Sequence, residues 1–213
     1  MIASGRVRIN DEIVKQPYIM VDPLTDVVNV DGMKISESPQ KVYIILNKPR
    51  GIVTTLDDPF GRKTILSLID QDERVYPVGR LDFDTEGLLL LTNDGELTFK
   101  LTHPGSHVEK EYYTKVSGRL SLSELKLLRK GIDIGGYVTA PAIIDEVGHD
   151  GKFAEYKVII KEGKKRQIRR MFEAVGLSVI YLRRERIGSL RLGDMKPGQW
   201  RYLSLSEIES LKN

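Results

Sequence analysis

The sequence predicts an α+β fold with a mixed, largely antiparallel sheet. Short strand-like stretches recur along the 213 residues, and few helical segments lie between them. Turn signals containing glycine, asparagine, aspartate and proline separate these stretches. There is no glycine-rich phosphate loop, no dinucleotide-binding motif and no repeat of the length found in solenoids. These absences count against nucleotide-binding α/β folds and repeat folds.

Composition indicates one large domain, or a main domain with a small appendage. Hydrophobic residues make up 40% of the chain, which is enough for a sizeable core. No stretch approaches the roughly 18 apolar residues that a membrane helix needs, and the N-terminus lacks the apolar segment of a signal peptide. We therefore expect a cytoplasmic protein that does not associate with membranes.

Cysteine is absent, which excludes disulfides, thiol nucleophiles and cysteine-ligated metals. The histidines, His103, His107 and His149, do not form a metal-binding pair. The sequence thus predicts neither a metal site nor a cofactor.

Basic residues are concentrated in the last third of the chain. Between residues 161 and 191 there are ten basic and three acidic side chains, a local charge of +7, whereas the whole chain carries +3. A basic surface on an otherwise slightly acidic protein is typical of proteins that bind a polyanion. An ordinary solvated helix face would mix both signs.

The first 38 residues predict a small polar unit. Val7–Ile9 and Val27–Val30 have strand character, and turns are predicted at Asn10-Asp11 and Asp31-Gly32. The segment Ser36-Glu37-Ser38-Pro39 has the composition of a linker, so a domain boundary is predicted between residues 38 and 39.

After this linker, Val42–Leu46 predicts a buried strand that ends in the loop Asn47–Gly51, where Arg50 places a cation. A polar loop containing Arg62 follows. A short helix comes next, and its apolar residues share one face: Ile65, Leu68 and Ile69.

The stretch from Val78 to Leu97 reads VGRLDFDTEGLLLLTNDGEL. Its apolar run Leu88–Leu91, bounded by Gly87 and the turn signal Asn93-Asp94-Gly95, predicts a fully buried strand. A polar cluster lies directly before that strand: Arg80, Asp82, Asp84, Thr85 and Glu86. Two carboxylates beside an arginine at the end of a core strand favour a catalytic loop, although aspartate and threonine there are often only turn formers.

The remainder alternates strands and short helices. Helices are predicted from Glu96 to Leu101, ended by His103-Pro104, and from Ser121 to Lys130, with Ser123 as the cap. A third helix, residues 166–175, carries three arginines on one face, and a short one starts at Ser206. Strands are predicted at residues 110–116, 140–147, 153–161, 179–182, 187–190 and 201–205.

Several motifs together resemble a known family. The stretch from Val78 to Leu97, His103-Pro104, Lys110-Glu111-Tyr112 and the basic motif EGKKRQIRRM at residues 162–171 are similar to the RsuA/RluB-type ribosomal RNA pseudouridine synthases. The similarity extends over nearly the whole chain from about Lys41 onward. The loop at residues 57–63 is more similar to the large-subunit, RluB-type branch than to the small-subunit branch.

The resemblance implies a catalytic domain at residues 39–213, in which an α+β sheet of two halves has the active cleft between them. Residues 1–38 resemble the second half of an S4-type RNA-binding module. The helical pair that opens this module in the family is missing, apart from Ile2–Gly5. Without it, the small sheet has little against which to bury its apolar face.

The implied activity is isomerisation of a specific uridine to pseudouridine in ribosomal RNA. We expect a monomer that acts on 23S rRNA, with a 16S-specific enzyme as the alternative. A non-catalytic RNA-binding or ribosome-assembly protein is a further alternative, as is a glycoside-processing enzyme that uses Asp82 and Asp84 as a pair. The presence of Asp82, Tyr112 and Arg169 counts against the non-catalytic protein. The basic surface counts against the glycoside-processing enzyme.

Pseudouridine formation breaks the C1′–N1 bond, rotates the uracil, rejoins it through C5 and removes the C5 proton. Nothing is oxidised, so the chemistry requires no metal or cofactor. It does require an ionised carboxylate at the ribose, either as a covalent nucleophile or as the base that starts an elimination. The family motif places Asp82 in this role.

The resemblance also implies roles for other residues. Arg169 would pair with Asp82 through two parallel hydrogen bonds, and Tyr112 would stack on the extruded uracil and take the C5 proton, directly or through water. Ile168 would line the base pocket, Arg80 would contact a phosphate or assist base flipping, and Asp84 would only form the loop. The other basic side chains are expected to bind RNA phosphates: Arg50, Arg62, Lys164, Lys165, Arg166, Arg170, Arg183, Arg184 and Arg186.

Overall fold

The structure, a computed structural model, describes residues 1–22, 25–35 and 40–213. The predicted linker at residues 36–39 and the predicted boundary between residues 38 and 39 lie outside the described residues. The chain divides into two compact units, Met1–Lys41 and Val42–Asn213. Within the described ranges, no helix is both long enough and apolar enough to span a membrane.

The first unit contains a small antiparallel sheet in the order β2-β1-β3-β4, with β1 (Val7–Ile9), β2 (Glu12–Val14), β3 (Val28–Val30) and β4 (Met33–Lys34). The predicted strands and turns are confirmed. Asn10, Asp11 and Asp31 have the positive φ angles that such turns favour. Val14 is the only buried hydrophobic side chain in the described part of this unit, so the sheet has little core of its own.

The second unit is organised around a nine-stranded sheet in the order β13-β5-β7-β11-β8-β10-β9, with β6 paired to β7 and β12 paired to β11. Its strands are β5 (Tyr43–Lys48), β6 (Tyr76–Pro77), β7 (Glu86–Thr92), β8 (Lys110–Ser117), β9 (Ile143–His149), β10 (Phe153–Ile160), β11 (Val179–Ile187), β12 (Leu190–Arg191) and β13 (Trp200–Tyr202). The helices are α1 (Gly95–Thr102), α2 (Leu122–Lys130), α3 (Gln167–Glu173) and α4 (Leu205–Lys212), with 3-10 turns at Ile65–Leu68 and Pro104–Ser106.

The two halves of this sheet meet where β7 and β11 run side by side. This is the one parallel pairing among the named strands of the described chain, and it joins Glu86 to Arg183 and Gly87 to Arg184. Gly87 has a φ of 113°, and a Cβ there would overlap the backbone of Arg184. Only glycine therefore permits this close approach of the strands. The predicted α+β fold with a mixed, largely antiparallel sheet is confirmed.

The strand β7 is buried on both faces, which explains its uninterrupted apolar run. Leu89 and Leu91 belong to a core cluster that includes residues of α2 and α3, whereas Leu88 and Leu90 belong to a second cluster with residues of α1 and α4. The beginning of β7 is thus held rigidly at the junction of the two halves.

Several element boundaries differ from the predictions. The strand β5 continues through Lys48 instead of ending at Leu46, and β9 begins at Ile143. The cap of α2 is Ser121, not Ser123, because the Ser121 side chain accepts from the Glu124 N–H in a capping box. In that helix Leu122 is 80% exposed, so it does not join the apolar face. The strand β11 is continuous to Ile187.

Candidate active site

The loop of residues 80–85 leads directly into β7 at the sheet junction. Within it the Thr85 N–H donates to the Asp82 carbonyl oxygen over 3.1 Å, which closes a four-residue turn with Phe83 and Asp84 at its centre. Two further bonds hold the loop from residues 51–54: Gly51 N–H donates to the Phe83 oxygen, at 2.8 Å, and Thr54 Oγ1 donates to the Leu81 oxygen, at 2.7 Å. The predicted polar cluster at the end of a core strand is therefore a rigid turn.

Lys48 anchors this turn from inside the protein. Its side chain is fully buried, and its ammonium group donates to the carbonyl oxygens of Asp82 at 3.2 Å, Thr85 at 2.9 Å and Pro49 at 3.0 Å. Three backbone acceptors satisfy all three donors of an ammonium group. One cation thus ties both ends of the Asp82–Thr85 turn to β5.

The burial of Lys48 lowers its pKa to about 8, although the nearby carboxylates of Asp82, Asp84 and Glu86 oppose this shift. The charge of Arg184 lowers the pKa of Lys48 further. The anchor is therefore a charged group that can lose its proton in a mildly alkaline solution.

The two carboxylates of the loop have different environments. Asp84 accepts hydrogen bonds from Arg166 Nη1 at 3.1 Å and 3.3 Å, and its Oδ2 lies 3.4 Å from Arg169 Nε. By contrast, the partly exposed Asp82 carboxylate has no hydrogen-bond or ion-pair partner within the described part of the chain. Asp82 is thus available to a ligand, whereas Asp84 is engaged in structure.

Electrostatics agree with this division of roles. Burial raises the pKa of Asp84, but the hydrogen bond from Arg166 and the charges of Arg169 and Arg166 outweigh it, so that the pKa lies below its usual value. Burial lowers the pKa of Arg169, and the charges of Asp84 and Asp82 oppose this shift. Asp82 is therefore close enough to be influenced by Arg169 without being bound to it.

The predicted bidentate pair of Arg169 with Asp82 is wrong. Arg169, which is 5% exposed, donates from Nη1 to the Val179 oxygen at 3.0 Å and from Nη2 to the Asp84 oxygen at 2.9 Å. It therefore ties α3 to β11 and to the loop. Asp84 lies in the loop as expected, and its carboxylate in addition binds two arginines, Arg166 and Arg169.

Tyr112 and Ile168 lie in the core cluster that also contains Leu81, the residue before Asp82. Tyr112 is 8% exposed on β8, on the same buried face as Thr114 and Val116, and it is the register partner of Arg184 on β11. The structure thus places the predicted tyrosine and apolar wall in the same core cluster as the residue that precedes the candidate nucleophile.

The predicted phosphate-binding residues fall into two groups. Five have exposed side chains: Arg50, Arg80, Lys164, Lys165 and Arg166, the last of which also donates to the Asp84 carboxylate. Arg166 is not part of the regular helix, because it precedes α3 in a left-handed conformation with a φ of 52°. Arg62 is also exposed, but its guanidinium is held by Asp58 at 2.6 Å.

The remaining predicted phosphate contacts are largely occupied within the protein. Arg184 is 4% exposed and donates to the Leu88 oxygen, so its assignment to RNA phosphates is wrong for this conformation. Arg186 pairs with Glu109 and Glu111, and Arg183 pairs with Glu185. Arg170 donates to the Gly135 oxygen, away from Asp84, so the three arginines of this segment do not act as one face.

The sequence did not reveal the anchoring role of Lys48, because this residue was assigned to a loop. Extending the preceding strand by two residues would have placed it on the face of Ile44 and Leu46, inside the core. No comparable signal existed for the pairing of Asp84 with Arg166 and Arg169, since those residues are far apart in the chain.

In chemical terms, the site presents a carboxylate on a rigid turn, and this carboxylate has no partner among the described residues. Cations lie beside it, and a tyrosine lies in the adjoining core. Such an arrangement leaves the Asp82 carboxylate accessible to a ligand, as nucleophilic or basic attack on a ribose requires. The exposed cations around it suit a polyanionic substrate.

Comparison with known proteins agrees with this site. Residues 42–174 match the RNA pseudouridylate synthase family. The chain is 42% identical over 213 residues to an uncharacterized RNA pseudouridine synthase of Aquifex aeolicus, covering 99% of this chain and 85% of the relative. It is 39% identical to the ribosomal large subunit pseudouridine synthase B of Bacillus subtilis, covering 100% of this chain and 87% of that protein.

A solved structure of a pseudouridylate synthase superposes with a TM-score of 0.75 at 32% identity, covering 99% of this chain and 90% of the other. A box H/ACA complex bound to a substrate RNA contains a chain with a TM-score of 0.52 at 21% identity, which shows a shared fold. The chain belongs to the RNA pseudouridylate synthase family, and it is an enzyme of the pseudouridine synthase type.

Proposed function

We propose that this enzyme converts a specific uridine of large-subunit ribosomal RNA to pseudouridine. The observation that carries the proposal is the Asp82 carboxylate, which has no partner among the described residues and lies on a turn that Lys48 and Thr85 hold at the sheet junction. The ribosomal target is supported by the name of the Bacillus subtilis relative, which matches along the whole chain. We expect the enzyme to act as a monomer in the cytoplasm.

In the proposed reaction, Asp82 acts at the ribose of an extruded uridine. Its carboxylate either attacks C1′ or removes the proton that starts an elimination, and the C1′–N1 bond breaks. The uracil then rotates and bonds to C1′ through C5. The C5 proton leaves and N1, no longer bonded to the ribose, gains a proton, so the product has the same atoms as the substrate.

The other residues support this step in distinct ways. Lys48 fixes both ends of the Asp82–Thr85 turn, and a displacement of about 1 Å can cost roughly 100-fold in rate. Arg169 positions the loop through Asp84 and contributes positive charge near Asp82. We assign the C5 proton to the Tyr112 hydroxyl, directly or through water, because its ring lies in the cluster that includes Leu81 and Ile168.

Extrusion of the uridine from folded RNA costs a few kcal/mol, which binding must repay. The exposed cations beside the loop and before α3 are suited to this task, since phosphate contacts dominate RNA affinity. We further propose that residues 1–38 act as an S4-like RNA-binding module and residues 39–213 as the catalytic domain.

The test is to incubate the purified protein with separate unmodified transcripts of large- and small-subunit rRNA. Pseudouridines are then located by chemical labelling. We expect one new pseudouridine in the large-subunit transcript. Modification confined to the small-subunit transcript would overturn the proposed target. If the protein modified neither transcript, naked rRNA would be excluded as the substrate.

A further inference from the structure

We infer that the Phe83 side chain is a stacking surface for a base of the RNA, namely the base next to the target uridine. The inference rests on the proposed function, since it deepens how that site holds its substrate. Phe83 lies between Asp82 and Asp84 in the loop, and its side chain is 50% exposed. The residues around it, Leu81 and Thr85, are buried.

The ring is held out by a rigid backbone. The Phe83 carbonyl oxygen accepts from Gly51 at 2.8 Å, and the turn around it is closed by the Thr85 bond to Asp82. Lys48 fastens the carbonyl groups of Asp82 and Thr85. A preorganised aromatic surface loses little conformational freedom when a ligand stacks on it.

The other two strongly exposed phenylalanines have partners within the protein. The guanidinium of Arg62 lies 5.3 Å from the ring centre of Phe60, and the ring of His103 lies 4.8 Å from that of Phe99. For Phe83, by contrast, no aromatic or cationic side chain covers the ring in the residues that the structure describes. An uncovered apolar ring beside the candidate nucleophile is therefore open to a ligand.

Charge around Phe83 favours a nucleic acid as that ligand. Arg50 precedes Gly51, which bonds directly to Phe83, and Arg80 lies three residues before it; both side chains are exposed. Exposed arginines on the segments that adjoin an exposed aromatic ring suit a single-stranded nucleic acid, because bases stack on the ring while phosphates meet the cations.

The position of Phe83 in the turn suggests which base would stack there. The target ribose must reach Asp82, and Phe83 is the next residue of the same turn, so we assign its ring to the nucleotide that adjoins the target. Once the target uridine has flipped out, that neighbour has lost a stacking partner. The Phe83 ring would replace the lost stack and keep the RNA open.

The first experiment compares kcat/KM for tritium release from C5-labelled rRNA among Phe83→Ala, Phe83→Leu, Phe83→Tyr and wild type. Phe99→Ala is the matched control. We expect losses of about tenfold for the Ala and Leu variants, little change for Tyr and none for the control. Thermal unfolding of each variant checks that the fold is intact. Wild-type rates for Phe83→Leu would overturn the inference.

A second experiment does not depend on catalysis. Trp200, the only natural tryptophan, is replaced in Phe83→Trp/Trp200→Phe, and the emission of the new indole is followed as oligouridylate is added. We expect quenching by oligouridylate and none by an abasic strand of equal charge. Equal quenching by both strands would refute base stacking. Base-dependent quenching in the tryptophan variant together with an inactive wild-type enzyme would count only against the proposed function.

Discussion

Asp84 and Arg169 form an ion pair with Oδ2 and Nε 3.4 Å apart, and Arg169 Nη2 also donates to the Asp84 carbonyl oxygen at 2.9 Å. Arg169 thus binds both the side chain and the backbone of Asp84. Because Asp84 occupies the guanidinium, Asp82 remains unpaired within the described residues, two positions away on the same turn. The pairing separates an engaged carboxylate from the open one that we propose as the reactive group.

We expect Asp82→Asn to abolish tritium release from C5-labelled rRNA while RNA affinity stays within a few-fold. An amide of nearly the same shape can neither attack C1′ nor act as a base, and losing a negative charge does not weaken phosphate contacts. Single-turnover assays and filter binding check this. Asp72→Asn, at an exposed position, is the matched control. Substantial release by Asp82→Asn would remove this residue from the chemistry.

We expect Asp84→Asn to lose both activity and stability, because it leaves Arg169 buried without a carboxylate. Since Asp84 is itself 35% exposed, the loss should be about 1–3 kcal/mol, below that of a fully buried pair. Because the folded pKa of Asp84 is lowered, its contribution is present above the usual value of about 4 and is lost at lower pH. The free energies of unfolding of wild type and Asp84→Asn, measured with denaturant from pH 6 to pH 2, should therefore converge. A difference that stays constant over this range would contradict the pairing.

We expect Lys48→Met to lower kcat roughly ten- to 100-fold with a small effect on KM, because the catalytic turn loses its anchor. The wild-type rate should fall as the pH rises through about 8, where Lys48 loses its proton. The free energy of unfolding should instead rise with pH. Between pH 8 and about 10.4 the unfolded chain holds the Lys48 proton more tightly, so this group adds stability as the pH rises.

Lys48→Arg keeps the positive charge at all accessible pH values. If this variant folds, as circular dichroism would show, its alkaline fall in rate should move to higher pH. In Lys48→Met the remaining activity should lack the fall near pH 8. A wild-type profile retained by both variants would assign the transition to another group.

We expect reversal of Lys164 and Lys165 to Glu to weaken RNA binding and to make it less dependent on salt. Both side chains are exposed beside the site, and each lost phosphate contact should reduce the salt slope by about 1. Lys126 and Lys130, exposed on α2, provide a control with the same change of charge. Equal effects of the two pairs would mean that only net charge matters. Arg184→Glu is unsuitable for this test, because it would bury a charge.

We expect Tyr112→Phe to bind RNA normally but to release tritium slowly, because the ring remains and the hydroxyl is lost. The glycosidic bond should still break, so an adduct or a detached base should accumulate ahead of the product. Tyr113→Phe changes the opposite face of the same strand and should leave the rate unchanged. An unaltered rate in Tyr112→Phe would exclude its hydroxyl from the mechanism.

The sequence alone determined the features that depend on local pattern. The run Leu88–Leu91 identified a strand buried on both faces, and the pattern of residues 110–116 identified the strand that carries Tyr112. The motif around Asp82 indicated the position of the catalytic loop and the activity. These features were readable because side-chain periodicity and turn chemistry involve neighbouring residues.

Only the tertiary structure decided which charges meet. Lys48 reaches the carbonyl groups of residues 34 and 37 positions away, and Arg169 finds Asp84 instead of Asp82. Arg184 was predicted to contact phosphates because it lies in a basic segment, but it is buried because β11 lies against β7. Whether an arginine or a lysine faces solvent, backbone or carboxylate depends on strands distant in sequence, and the linear pattern of charges does not contain that information.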